Sequence, residues 1–148
     1  MSLDKIARKL RELDLIEIAE KAIVKNDSSL IKYNTDEQLF QKGIDSLGRS
    51  LKEYTPTTKF LKRLKGQPTN RTTLKDTNRF YEGFELDSKH FPFGITSTDS
   101  KKEKLTEKYG DEIFGLTDEN ESEYLDEKIV DEVLDQAEDK ILSAFTIL

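Results

Sequence analysis

The sequence predicts an α+β protein in which a small antiparallel sheet packs with an N-terminal helix and a long C-terminal helix. Two amphipathic stretches, one near each end of the chain, and a strand-like stretch between them predict this fold class. The length of 148 residues suits a single domain, 1–148. Only 34% of the residues are hydrophobic and 36% are charged, so we expect a small core with much solvated or partner-covered surface.

The first element is an N-terminal helix within residues 1–27. Apolar side chains recur at three- and four-residue steps from Leu3 to Ile23, and the positions between them are mostly charged. Ser2 is a candidate N-cap, and the polar residues 26–28 are expected to end the helix.

Residues 42–79 are expected to form a basic, irregular middle segment. Turn signals occur at 43–48 and 54–56, and the segment contains ten Lys or Arg against three Asp or Glu, a net charge of +7. Residues 57–65 are expected to form a short helix with Phe60, Leu61 and Leu64 facing inward. The preceding stretch, 28–43, is ambiguous, and Thr35 is a candidate cap for a short helix there.

Residues 80–99 are predicted to form a hairpin, because Phe80, Phe84 and Leu86 interleave with polar residues before a second apolar run at 90–97. A short helix at 101–109 then precedes an acidic C-terminal helix at 117–145, which Thr117 opens. The apolar stripe of that helix consists of Tyr124, Leu125, Ile129, Val133, Leu134, Ala137, Ile141, Leu142 and Phe145. Residues 107–148 contain fourteen Asp or Glu against three Lys or Arg, a net charge of −11.

The overall charge of −6 therefore hides a basic segment and an acidic segment. Either both are solvated faces, or the acidic segment of one copy meets the basic segment of another, or the basic segment faces nucleic acid. Aromatic side chains are interspersed among the cations, an arrangement that serves single-strand binding unless the rings belong to the core. The candidate interface or DNA-facing residues are Lys52, Lys59, Lys62, Arg63, Lys65, Arg71, Lys75 and Arg79.

The sequence offers no set of residues for catalysis, and we expect neither an enzyme nor a bound cofactor or metal. The absence of Cys excludes disulfides, a thiol nucleophile and Cys-based zinc sites. His90 is the only histidine, and the C-terminal carboxylates lie all around their helix. Residues 43–50 differ from the phosphate-loop pattern by Arg49 in place of lysine, but no buried strand precedes them, so we interpret them as a glycine-bounded turn.

No membrane partner is expected either. The apolar runs are only a few residues long, and residues 1–5 lack the apolar region of a secretory signal. These features predict a soluble protein that is made in a reducing cytoplasm.

Three local patterns occur in a fixed order along the chain. The first is Gln-Leu-Phe-Gln-Lys-Gly-Ile-Asp-Ser-Leu-Gly at 38–48, with Tyr54 following. The second is Thr-Leu-Lys-Asp-Thr-Asn-Arg-Phe-Tyr at 73–81. The third runs from Ile-Thr-Ser at 95–97 through Tyr-Gly at 109–110 to Ile-Phe-Gly-Leu-Thr-Asp-Glu-Asn at 113–120. Together they resemble the tail-completion or virion-morphogenesis proteins of tailed bacteriophages, over about residues 38–142.

The resemblance assigns structural roles to two turns. In that family a Leu-x-Asp-Thr-Gly turn precedes an aromatic-bearing strand, and a Phe-x-Gly-Leu-Ser/Thr turn introduces the C-terminal helix. Asn78 stands where the family usually has glycine, and Phe114 directly precedes Gly115 without an intervening residue. The matching residues of this chain are Leu74, Asp76, Thr77 and Asn78 in the first turn and Phe114, Gly115 and Leu116 in the second.

The resemblance implies a structural virion protein of the phage head–tail neck: a tail-completion, tail-terminator or head-to-tail adaptor protein. Proteins of this family form rings whose subunits repeat head to tail, so it implies a homo-oligomeric ring. The implied partners are the portal, adaptor and tail-tube proteins, with non-specific contact to passing DNA through the basic segment. The implied location is the virion, after synthesis in the bacterial host cytoplasm. The alternative function is that of a small nucleic-acid-binding protein that uses residues 42–81.

Overall fold

Helices dominate the structure, and its sheet has two strands. The computed structural model describes residues 2–146, with the side chains of Lys9 and residues 144–146 left aside. The elements are α1 (Leu3–Arg11), α2 (Leu15–Lys25), α3 (Asp27–Lys32), a π-helical segment (Tyr33–Lys42), α4 (Pro56–Leu64), α5 (Arg79–Glu82), β1 (Phe84–Asp87), β2 (Gly94–Ser97), α6 (Lys102–Tyr109), a 3-10 turn (Asp111–Ile113), α7 (Asp118–Tyr124), a second π-helical segment (Leu125–Ile129) and α8 (Val130–Thr146). The predicted α+β class is confirmed.

Contacts divide the chain into two compact units. Unit 1 comprises residues 1–26 and 123–148, and unit 2 comprises residues 27–122. Unit 1 thus joins the two ends of the chain, whereas unit 2 is one continuous stretch. The single domain expected over residues 1–148 stays a prediction.

The single helix predicted over residues 1–27 is wrong, since unit 1 begins with two helices. Between them, Asp14 is the N-cap of α2, and its carboxylate accepts a hydrogen bond from the Glu17 amide at 3.1 Å. An aspartate satisfies the free amides at a helix start better than it tolerates a helix interior, so the chain ends one helix and begins another.

Both helices of the N-terminal stretch pack on α8 within unit 1. Polar contacts reinforce this packing: Lys25 Nζ lies 3.0 Å from Glu132 Oε1, and Asn26 Nδ2 donates to Glu132 Oε2 at 3.0 Å. The hydrogen bond from Lys25 is the main cause of the lowered pKa of Glu132. Among the side chains of unit 1 that the structure describes, the buried apolar ones are Ile18, Ala22, Tyr124, Ile129 and Ala137.

Helical residues run without a break from Asp118 to Thr146, as the C-terminal pattern predicts. Thr117 caps this stretch, because its hydroxyl accepts a hydrogen bond from the Asn120 amide at 3.2 Å. The predicted apolar stripe is only partly covered: Leu134 is 60% and Leu142 is 53% exposed. The side chain of Phe145, which belongs to that stripe, lies outside the described residues.

In unit 2 the predicted hairpin is present, but it begins later than residue 80. The strands pair antiparallel in the register Phe84 with Ser97 through Asp87 with Gly94. Residues 79–82 are helical instead. Phe80 and its neighbour Tyr81 are both buried, and a strand points adjacent side chains to opposite faces, whereas a helical turn can direct both toward one core.

The core of unit 2 is aromatic and small. The centre of the Phe84 ring lies 5.0 Å from the centre of the Phe80 ring and 5.0 Å from the centre of the Phe114 ring. Such tilted and edge-on pairs add to the stabilisation that apolar burial gives. The buried members of this core are Leu39, Leu51, Phe80, Tyr81, Phe84 and Ile113.

Candidate functional site

The glycine-bounded loop at 43–51 is closed by its own hydrogen bonds. The carboxylate of Asp45 is buried and accepts from the amides of Leu47 and Arg49 at 3.0 and 2.9 Å, and its second oxygen lies 3.0 Å from Arg49 Nε. The backbone amides of residues 44–49 and 51 all donate to acceptors within the chain. A phosphate-binding loop needs such amides free to face the ligand, so this geometry favours the interpretation as a turn.

The second pattern, 73–81, folds into a turn held by two tyrosine hydroxyls. Tyr54 Oη accepts hydrogen bonds from the amides of Thr73 and Leu74 at 2.9 and 3.3 Å, and Tyr81 Oη donates to the carbonyl of Thr73. Burial is the main reason that the pKa of Tyr81 is raised. The backbone at Leu74 and Asn78 has positive φ, 58° and 73°. Asn tolerates this left-handed conformation better than most residues.

Asp76 in this turn bonds to side chains from the end of α4. Lys65 Nζ lies 2.7 Å from Asp76 Oδ1, and Gln67 Nε2 donates to the Asp76 carbonyl at 2.9 Å. The hydrogen bond from Lys65 is the largest cause that lowers the pKa of Asp76. Thr77 is exposed and makes no side-chain hydrogen bond among the residues that the structure describes.

The third pattern ends in a turn that three buried amide side chains hold. Gln38 Nε2 donates to the Gly115 carbonyl at 3.0 Å, and Gln38 Oε1 accepts from the Thr117 amide at 2.8 Å and from Asn120 Nδ2 at 2.9 Å. Asn34 Oδ1 accepts from the Gly115 amide at 2.9 Å. Gly115 has a φ of 114°, a conformation that L side chains rarely adopt, so the glycine of this pattern has a backbone role.

The three patterns therefore meet in one place. The first pattern supplies Gln38 to the third, and the amide of Ser46 donates to the carbonyl of Glu112 at 2.8 Å. A Cβ atom on Gly43 would lie 3.0 Å from the carbonyl oxygen of Thr72, which brings the first pattern against the start of the second. Segments that are distant in sequence thus build a single folded core in unit 2.

Three of the predicted surface cations are used inside the fold. Lys62 is buried, donates to the Lys75 carbonyl at 2.9 Å and lies 4.8 Å from the centre of the Tyr54 ring. Arg71 Nε donates to the Phe40 carbonyl at 2.7 Å. Lys75 Nζ lies 4.6 Å from the centre of the Phe40 ring. These cations hold the turn and its aromatic neighbours.

The other cations lie on the surface. Lys59 and Lys65 form ion pairs with Glu53 and Asp76, at 3.6 and 2.7 Å. Within the described part of the chain, the exposed Lys52, Arg63 and Arg79 form no ion pair. The basic segment thus divides into cations that hold the fold and cations that are free to meet an anionic surface.

The side of helix α4 that was predicted to face the core is exposed, and another side of the helix is buried. Phe60, Leu61 and Leu64, expected to face inward, are 57%, 52% and 70% exposed, while Lys62 is buried. The periodicity places these apolar side chains near one another but does not say which side of the helix meets the core. The hydrogen bonds of Lys62 to Lys75 and Gln67 decide that orientation.

His90 is exposed in the connection between the two strands. Among residues 2–146, no group of three or more His, Cys, Asp or Glu side chains could hold a metal ion. Over the same range, no helix combines the length and the apolar character that a membrane crossing requires.

Asn34 and Tyr54 are the site residues that sequence reasoning passed over or left without a role. Asn34 is fully buried, and Tyr54 enters the sequence patterns only as the residue that follows the first of them. Asn34 and Gln38 are four residues apart, and this spacing is the one signal in the sequence that they lie on the same side of a helix.

Comparison of the chain with protein-family models, with curated proteins and with solved structures gives no match.

Proposed function

We propose that this chain is a structural protein of a tailed-phage virion, a ring-forming subunit of the head–tail neck. The observation that supports the proposal is the meeting of the three phage-like patterns in unit 2. Gln38 of the first bonds directly to the backbone of the third, across 77 residues. All three patterns lie within one compact unit, as the motifs of a single folded phage protein would.

The side-chain chemistry of the turns supports a structural role for them. Four polar side chains form hydrogen bonds with backbone atoms or with one another and so stabilise the core: Asn34, Gln38, Asn120 and Tyr81. We therefore propose that the protein contributes a shaped surface to the neck and no catalysis.

The distribution of charge supports assembly between subunits. Residues 42–79 carry +7 and residues 107–148 carry −11, and a ring subunit that repeats head to tail presents different faces to its two neighbours. Portal, adaptor and tail-tube proteins are the proposed further partners, and the virion is the proposed location.

Electron microscopy of phage particles provides the test. Particles assembled with a tagged copy of the protein should bind a gold-labelled antibody at the junction of head and tail, and the purified protein should sediment as a ring, alone or with neck partners. Unlabelled particles, together with a monomer at every salt concentration with and without those partners, would refute the proposal.

DNA binding through residues 42–81 is the competing outcome of the same test. It predicts retardation of DNA fragments that weakens steeply with salt and that is lost when Lys52 and Arg79 are both replaced with Ala. Such retardation by a protein that never enters particles would favour the nucleic-acid-binding function.

A further inference from the structure

The outer side of α4 presents an apolar pair next to a cationic pair. Phe60 and Leu64 are four residues apart, so they lie on one side of the helix, where they are 57% and 70% exposed. Lys59 and Arg63 each precede one member of that pair and form a parallel row beside it. Lys62, on the opposite side, is the residue that meets the core of unit 2.

Helix α8 carries the matching arrangement with opposite charge. Val130 and Leu134 are four residues apart and are 42% and 60% exposed. Asp131 and Asp135 each follow one member of that pair, and both are exposed. Glu132, which bonds to Lys25 and Asn26 within unit 1, lies on nearly the opposite side of α8, two residues from each member of the pair. The buried Ala137, three residues after Leu134, borders the exposed pair.

We propose that these two faces bind each other between copies of the chain: the outer side of α8 in one copy packs on the outer side of α4 in the next. The inference rests on the proposed ring-forming function and names the surface through which the ring forms. Charge identifies a second copy as the partner of α4. The apolar pair and row of aspartates on α8 complement the apolar pair and row of cations on α4.

The order of the residues sets the relative direction of the two helices. On α4 each cation precedes its apolar neighbour, and on α8 each aspartate follows its own. Successive residues of a right-handed helix turn by about 100°, so the two charged rows come to the same side of the contact only when the helices run parallel. An antiparallel crossing would place them on opposite sides.

The groups that face this contact are available for it. Arg63, Asp131 and Asp135 have no ion-pair partner in the described part of the chain. Lys59 pairs with Glu53 at 3.6 Å, and the side chain of Glu53 is 86% exposed, so this pair can open to solvent.

The contact uses different faces on the two copies and is therefore heterologous. Each copy offers one α4 and one α8, so the contact repeats and closes into a ring or continues as a filament. A single helix crossing is smaller than the roughly 1,200 Å² of a standard interface, so we expect a weak individual contact that assembly strengthens.

Charge reversal on each helix, followed by mixing, tests the proposal. One variant carries Arg63→Glu, and the other carries Asp131→Lys with Asp135→Lys. Each alone should associate at least about tenfold more weakly than the unmodified protein in sedimentation velocity at low salt, because like charges then meet. An equal mixture of the two should regain association, since the reversed α4 meets the reversed α8.

Matched controls reverse charges away from both faces. Arg79→Glu and Glu107→Lys are exposed changes of the same kind, and they should leave association unchanged. Circular dichroism of every variant checks that its helices are intact.

Several outcomes would overturn the inference. If the unmodified protein stays monomeric at low salt and high concentration, no second copy binds this face. If Arg63→Glu associates normally, the ring forms through another surface, and the proposed neck function survives. If the equal mixture associates no better than either variant alone, the two faces do not bind each other. If the unmodified monomer retards DNA through Arg63, α4 is a nucleic-acid surface.

Discussion

The hydroxyl of Tyr81 links the aromatic core of unit 2 to the turn before it. The side chain is buried, and its Oη donates to the carbonyl of Thr73, whose amide in turn donates to Tyr54 Oη. Burial opposes loss of the phenolic proton and so raises the pKa of Tyr81. One side chain therefore contributes both packing and a proton-dependent stability.

Tyr81→Phe should lower the free energy of unfolding by about 1 kcal/mol at neutral pH, because the Thr73 carbonyl loses its buried partner. It should also reduce alkaline destabilisation. In the unfolded chain the phenol ionises at about pH 10, whereas the folded protein keeps the proton. The free energy of unfolding therefore falls as the pH rises above that value.

Urea unfolding of both proteins between neutral pH and pH 11 measures the difference. Tyr54→Phe is the comparison variant, since it also removes a hydroxyl that bonds to Thr73, but one that accepts from backbone amides. If the alkaline loss of stability were the same in Tyr81→Phe as in the unmodified protein, the buried phenol would not be its source.

Lys62 shows why single residues can defeat a prediction from sequence. A lysine in a basic segment is expected to face solvent, yet this one is buried against the Tyr54 ring and the Lys75 carbonyl. Its long apolar stem can be covered while its ammonium donates hydrogen bonds. The carbonyl lies 13 residues away, and no local pattern announces that contact.

At the scale of an element, the turn over residues 74–78 depends on the end of α4. The side chain and carbonyl of Asp76 bond to Lys65 and Gln67, so these contacts of the turn are tertiary. A local bond adds to them, because the Lys75 amide donates to Thr73 Oγ1 at 3.2 Å. The conformation itself, with positive φ at Asn78, is the part that the local sequence does indicate.

Asp76→Ala should lower the free energy of unfolding by about 0.5 kcal/mol, the range of a largely exposed ion pair. Thr77→Ala, one residue further, should change it little and is the matched control. Because the pKa of Asp76 is lowered, its contribution is present at neutral pH and is lost as the pH falls below about 4. Thermal melts at pH 7 and pH 3 measure both effects; equal losses in the two variants would contradict this account of the turn.

Element types follow from local pattern more reliably than element ends and orientations. The amphipathic period of the C-terminal helix and the Thr117 cap were sufficient to place that helix. The division of residues 1–27 depends on the choice of Asp14 as a cap, and the helical turn at Phe80 and Tyr81 depends on a core that other segments provide. Such choices are made by tertiary contacts that override local propensity.

At the scale of the whole molecule, the buried amide network ties together segments separated by 77 to 82 residues. Gln38 is the centre of that network, with a hydrogen bond to each of three different residues. Gln38 begins the first of the three sequence patterns. The hydrogen-bond partners of its side chain could not be predicted, since a single sequence has no signal for contacts between residues so far apart in the chain.

Gln38→Ala should destabilise unit 2 by about 3 kcal/mol, because it leaves buried groups of the Gly115 turn unpaired. Hydrogen exchange should become faster in residues 27–122, with a smaller effect in unit 1. Ile18→Ala is the counterpart: it makes a cavity in unit 1 and should increase exchange there first. Equal acceleration of exchange across both units by either variant would contradict the division of the chain.

The same division has a consequence for the chain as it leaves the ribosome. Unit 1 needs α8, which is synthesised more than 100 residues after α2, and unit 2 needs the turn at Gly115 to reach Gln38. Unit 1 therefore cannot complete its contacts until α8 has been made, nor unit 2 until Gly115 has been made. Meanwhile α2 emerges with Ile18 and Ala22 uncovered, side chains that the folded unit buries, so the nascent chain is the stage at which a chaperone would have most to bind.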